Sequence, residues 1–198
     1  MADWHTEHKM SSKKRNQLMK ALRNRLLVRF ARLFEPGTVN GYVLGIGPRF
    51  FLLALVSDGL RLNGFQCFRL SDVRQLRVPD EYAAFHEAVL RKRGQRFPKK
   101  PPVSVSSLAE LLLTAAQAFP LVTIHREKVD PSVCWIGRVT DVRNGRVTLR
   151  EIGPDARWDD QLGTYRLSEI TRVDFGADYE DGLNSVAGVP KVGQPNKS

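Results

Sequence analysis

The hexapeptide FRLSDV at 68–73 returns as YRLSEI at 165–170, 97 positions later, with every substitution conservative in size or charge. Nothing else in the chain constrains the fold as tightly, because a repeat at fixed spacing commits the sequence to one supersecondary unit made twice. Downstream, the match runs on to Tyr82 and Tyr179. Upstream, GYVLGIGPRFFLLALV (41–56) lies over GRVTDVRNGRVTLREI (137–152) at an offset of 96. There Gly41 meets Gly137, Val43 meets Val139, Leu53 meets Leu149 and Val56 meets Ile152. LLVRFAR (26–32) lies over PLVTIHR (120–126) at an offset of 94, and a helical stretch at 11–25 faces another at 106–119. The drift amounts to a few residues inserted at turns. Agreement of this order across both halves indicates a duplication.

Each half reads as one helix followed by five short strands. In the second half the strands fall at 121–127, 134–142, 146–152, 164–168 and 169–176. RNG (143–145) is a hairpin turn, since Asn-Gly supplies positive φ, and GPDARWDDQLG (153–163) reads as a loop punctuated by Pro, Gly and Asp. The first half repeats the pattern at 26–34, 39–46, 50–56, 62–70 and 73–78. YAAFHEAVLRKR (82–93) and DYEDGLNSVA (178–187) predict short helices. The longest apolar run, FFLLALV at 50–56, is far short of the roughly 20 residues that span a bilayer and reads as a fully buried strand. Within FRLSDV, Phe68 and Leu70 face the interior. Ser71 and Asp72 turn the chain by bonding nearby N–H groups, and Val73 opens the fifth strand. Ser168, Glu169 and Ile170 repeat that corner.

Short, strongly bent strands behind a leading helix, with the G-x-V…turn…V-x-L pattern of Gly137, Val139, Val147 and Leu149, resemble the Sm-like and SH3-like small β-barrels. The resemblance implies a mainly β fold with α: two tandem five-stranded small β-barrels, each preceded by an N-terminal helix. Sm-like proteins assemble rings through exposed strand edges. An oligomer through edge strands, or edge-to-edge pairing of the two halves within the chain, is the corresponding expectation. Asp141 and Asn144 fall too early to match the loop residues with which the Sm family binds RNA, so those roles do not carry over. The FRLSDV ending also looks like the closing strand of WYL domains, although the WYL tripeptide is absent. The run PLVTIHRE…CWIGRV…ITRVDFGADYE is similar to uncharacterised bacterial proteins, a likeness that implies no activity. The expected organisation is a basic helix and first barrel at 1–90, a basic Pro-rich linker at 91–105, a helix and second barrel at 106–187, and a disordered tail at 188–198.

Charge separates the halves. The net +10 is the balance of +12 in residues 1–105 (20 Lys/Arg, 8 Asp/Glu) and −2 in residues 106–198 (11 and 13). From Lys9 to Arg32 there are nine cations and no acid, with Leu18, Leu22 and Leu26/Leu27 as an apolar stripe. RKRGQRFPKKPP (91–102) adds six more. Phosphate backbones are the commonest partner of such stretches, with binding driven by counterion release. The expected function is a non-enzymatic module binding RNA or DNA backbone through the basic first half. The candidate contacts are Lys13, Lys14, Arg15, Lys20, Arg23, Arg25, Arg91, Lys92, Arg93, Arg96, Lys99 and Lys100. An interaction or scaffolding module with an acidic protein partner is the alternative, and an enzyme using the His125 region a distant third. For the basic stretches themselves, a solvated surface with no partner and an anionic membrane surface are the other readings. No RNP motif, zinc finger or helix-turn-helix is present, and aromatics near the basic stretches are few (Trp4, Phe30, Phe34, Phe97), so low-specificity binding is expected.

Catalytic signals are sparse. There is no G-x-S-x-G, P-loop or G-x-G-x-x-G, and Gly45-Ile46-Gly47 runs into Pro48 and a strand. His125, Glu127 and Cys134 raise a metal or nucleophile reading, but without a CxxC or HxxxH spacing a hydrogen-bonded strand histidine is favoured. Trp158-Asp159-Asp160 reads as a surface loop rather than a catalytic carboxylate pair. No cofactor or metal is expected. Cys67 and Cys134 lie between apolar neighbours and read as buried free thiols. MADWHTEHKM has no apolar h-region, so a cytoplasmic location is expected.

Overall fold

The computed structural model describes residues 11–34 and 36–189. The elements run α1 (Ser12–Asn24), β1 (Leu27–Ala31), β2 (Thr38–Ile46), β3 (Phe50–Val56), β4 (Leu62–Arg69), α2 (Ala83–Lys92), α3 (Leu108–Ala118), β5 (Val122–His125), β6 (Cys134–Arg143), β7 (Arg146–Ile152), β8 (Trp158–Arg166), β9 (Arg172–Phe175) and α4 (Asp178–Ala187). Single 3-10 turns at Leu70–Asp72 and Leu167–Glu169 form the two corners. The repeated hexapeptide therefore makes the same local structure twice.

The duplication extends to the irregularities. Both leading helices start on a serine, Ser11 and Ser107, whose hydroxyl accepts from the N–H of Lys14 and Glu110 respectively. The β2–β3 ladder slips between Val43 and Gly45, and the β6–β7 ladder between Val139 and Asp141. A second slip at Ala54/Val56 recurs at Arg150/Ile152. All of these pairs stand at the 96-residue offset. Val28 lies opposite Gly41 and Val122 opposite Gly137, which bears out the 94-residue offset of the first strands. Gly41 and Gly137 share a physical reason. A Cβ on either would sit well inside contact with a backbone carbonyl oxygen, of Ala54 and of Arg150 respectively, so the strands cross too closely for any side chain.

The strands do not close into two barrels. They form one antiparallel sheet in the order β1-β2-β3-β4-β9-β5-β6-β7-β8. In the second half the fifth strand, β9, pairs with β5 along one edge. Its other edge is taken by β4 of the first half, through Phe65↔Phe175, Gln66↔Asp174, Cys67↔Val173 and Phe68↔Arg172. In the first half the expected fifth strand at 73–78 makes only two isolated bridges, Arg29↔Arg77 and Arg32↔Val73. Three residue steps separate the bridges on the β1 side and four on the other, and the extra residue breaks the ladder. The two halves are thus joined edge to edge within the chain.

The sheet is loaded from opposite sides. Leu18 and Ala21 of α1 pack with Phe30, Phe51, Leu53 and Phe68. Leu111, Leu112 and Ala115 of α3 pack on the other face of β3, with Leu52 and Ala54, and continue to Ile124, Leu149, Val173 and Phe175. This two-sided burial explains why FFLLALV carries no polar residue, whereas RVTLREI alternates. Burying Leu18 completely contributes about 1.5–3 kcal/mol. That outweighs the roughly 0.2–0.5 kcal/mol lost for each like-charge pair along α1.

One further expectation is corrected. β8 begins at Trp158, so the loop covers only 153–157; Trp158 faces Ile152 and packs with Leu183 of α4, which draws that end of the segment into the sheet. The stretch at 93–107 has no helix or strand, yet Pro101 and Val103 are buried and Val105 packs closely over Gly47. It lies along the first half. The tail expected from 188 falls outside the described residues after Val189, as do Lys9 and Trp4. No helix of the described residues is long and apolar enough to cross a membrane.

Candidate nucleic-acid interface

Helix α1 ends at Arg25, which adopts left-handed φ and ψ and donates its N–H to the Ala21 carbonyl. Only part of the nine-cation run is therefore helical. Arg29 lies on β1 and Arg32 just beyond its end, and both are neutralised: Arg29 bonds Asp80 at 2.9 Å and Glu81 at 2.5 Å, and Arg32 bonds Glu127. On α1, Lys14 Nζ donates to the Val73 carbonyl at 3.0 Å and Arg15 to the Gly47 carbonyl at 3.1 Å, tying the helix to the sheet. Lys13, Lys20 and Arg23 are exposed on α1, and their side chains make no hydrogen bond or ion pair among the described residues.

The second cluster divides in the same way. Arg93 donates to the carbonyls of Gly59 and Leu60, and Arg91 donates to the Glu87 carbonyl at 3.4 Å. Both consequently brace the chain around α2. Lys92, Arg96, Lys99 and Lys100 are exposed and unpaired among the described residues.

The two clusters converge at one place. A cleft of about 450 Å³ lies between the end of α1 and the segment after α2, lined by Leu22, Arg25, Val43, Leu44, Phe97, Pro98, Lys99 and Lys100. Three cations rim an apolar floor, and among the described residues no carboxylate lines it. The Arg25 guanidinium lies 5.0 Å from the Phe97 ring centroid, and Tyr42 meets that ring edge to face at 5.1 Å. Burial, together with the neighbouring Glu87, pushes the Tyr42 hydroxyl up to about 12, so it stays neutral. The sequence places Arg25, Lys99 and Lys100 in two separate runs; the fold brings them together. Lys14, Arg15, Arg91 and Arg93 are not part of that convergence.

His125 and Glu127 instead sit in a polar junction between the halves. Arg32 donates both terminal nitrogens to Glu127, at 2.8 and 2.5 Å, and Thr171 donates to the same carboxylate at 2.6 Å. Burial by itself raises the Glu127 pKa, but the bonds from Arg32 and Thr171 and the charges of Arg32 and Arg172 outweigh it and hold the group below the usual range. His125 Nε2 lies 3.1 Å from Asp174, which also accepts from Arg172 and Gln66. Asp174 behaves as Glu127 does: burial raises its pKa, while Arg172 and His125 bring it below its ordinary value. Cys67 is buried, but Cys134 is exposed, contrary to expectation. Trp135 takes the core-side position opposite Ile124 and turns Cys134 to the other face. Among the described residues no group of three His, Cys, Asp or Glu side chains is arranged to hold a metal ion.

The one signal of this junction in the sequence is asymmetry. Glu127 stands where the first half has Leu33, so this carboxylate belongs to the second half alone; its partners come from both halves, Arg32 from the first and Thr171 from the second. Compared with protein-family models, curated proteins and solved structures, the chain matches none.

Proposed function

We propose that this protein is a non-enzymatic binding module that holds the sugar-phosphate backbone of nucleic acid on its first half. The observation that carries the reading is the convergence of Arg25 with Lys99 and Lys100 on one cleft that no carboxylate of the described residues lines. The unpaired cations Lys13, Lys20 and Arg23 extend the positive surface along α1. Asp80 and Glu81 are engaged by Arg29 and Glu127 by Arg32, while Glu87, behind the cleft, bonds the Tyr42 hydroxyl. A surface on which cations outnumber carboxylates gathers polyanions and releases their condensed counterions.

We also propose that the halves descend from one small β module of the Sm-like and SH3-like kind. The matched bulges, glycines and corners support that descent. Fluorescence anisotropy with a labelled oligonucleotide at low and moderate salt tests the function. Binding that weakens steeply with salt is expected. No binding at low salt, or equal binding of an acidic polypeptide, overturns it in favour of an acidic protein partner.

A further inference from the structure

Resting on that reading, we infer that the cleft is a subsite for one unpaired base, which makes single-stranded nucleic acid the ligand. The geometry argues this from three sides. The volume of about 450 Å³ suits one nucleotide unit and lies within the range of small-ligand sites. A base pair inside a duplex has no way into a cleft bounded by a helix end and a chain segment. The lining has two chemical parts, as a nucleotide does. Leu22 and Phe97 offer an apolar surface to a base, while Arg25, Lys99 and Lys100 stand at the rim where the flanking phosphates fall.

Phe97 has the properties of a stacking platform. It keeps 37% of its surface exposed although it is a large aromatic residue. It is also held in place, with Arg25 over its ring and Tyr42 against its edge. A ring ordered before binding loses little entropy when a base stacks on it. Base-aromatic stacking is tolerant of sequence, which agrees with the lack of any base-reading motif.

The test compares three probes of equal length at one fixed salt: a labelled oligothymidylate, the same strand made abasic, and a duplex. The full-length protein is expected to prefer the oligothymidylate to both others. Phe97→Leu, which keeps the apolar floor, should weaken oligothymidylate binding about fivefold or more and abasic-strand binding by much less, so that the preference for bases is lost. Phe97→Tyr should retain wild-type affinity, and this pair of variants separates stacking from a folding defect. Equal affinity for all three probes, or a Phe97→Leu variant that binds oligothymidylate like wild type, overturns the inference while leaving backbone binding intact. Absence of binding to every probe overturns the backbone reading itself.

Discussion

Arg69 Nε donates to the backbone carbonyl of Ile170 at 2.7 Å, and its Nη2 reaches the Ser168 carbonyl at 2.6 Å. The arginine of the first hexapeptide thus holds the corner made by the second. Its counterpart, Arg166, stands exposed on β8 with no side-chain bond among the described residues. Arg69→Ala should lower the free energy of unfolding by about 1.5–3 kcal/mol, the range for hydrogen bonds to charged groups. Arg166→Ala should stay within about 0.5 kcal/mol of wild type. Urea denaturation of both variants checks this; equal effects would mean that the junction draws nothing from the arginine.

Gly41→Ala and Gly137→Ala should both destabilise, by about 1–3 kcal/mol or more, because the added methyl meets a backbone oxygen that cannot rotate away. Gly182, within α4, has open space where its Cβ would stand. Gly182→Ala should therefore stabilise by roughly 0.5–1 kcal/mol. Thermal melts of the three variants read the contrast directly.

The buried Arg32–Glu127 pair links the halves, and removing one partner leaves the other charged and desolvated. Glu127→Ala should cost roughly 3–5 kcal/mol. The pH dependence has a definite sign. Glu127 has a folded pKa below its unfolded value of about 4.3. Its stabilisation is present above that pH and is lost as pH falls through the depressed folded value. Glu127→Gln should be less stable at neutral pH and should lose less on acidification than wild type. Asp174 titrates in the same direction and leaves a residual acid dependence. Denaturation midpoints from neutral pH down to about 3 test both statements.

The sequence discloses the module and the edge-to-edge joining of its copies, but not which strands meet. The corners, the four helices and most strands follow from local pattern, since LSD and LSE, the serine caps and the Asn-Gly turn each act within a few residues. β8 was obscured because Asp159, Asp160 and Gly163 are poor strand formers, and Trp158 is recruited by contacts with Ile152 and Leu183. RVDF reads plainly as a strand, but nothing local states that β4 of the other half will take its second edge. The same limit applies to the candidate site. Arg29 and Arg32 look like the rest of the basic run until Asp80, Glu81 and Glu127 are found against them. Lys99 and Lys100 gain a setting only when the segment after α2 is laid beside α1.

The most direct measurement is the slope of log affinity against log salt for a single-stranded oligonucleotide. Wild type is compared with Lys13→Gln, Lys20→Gln and Arg23→Gln, alone and combined. These three cations make no bond among the described residues, so their replacement spares the fold, unlike that of Lys14 or Arg15. Each lost phosphate contact should reduce the slope by about 0.7. A triple variant whose slope falls by about 2 supports the account. A wild-type protein with no salt-dependent affinity, or a triple variant with an unchanged slope, contradicts it.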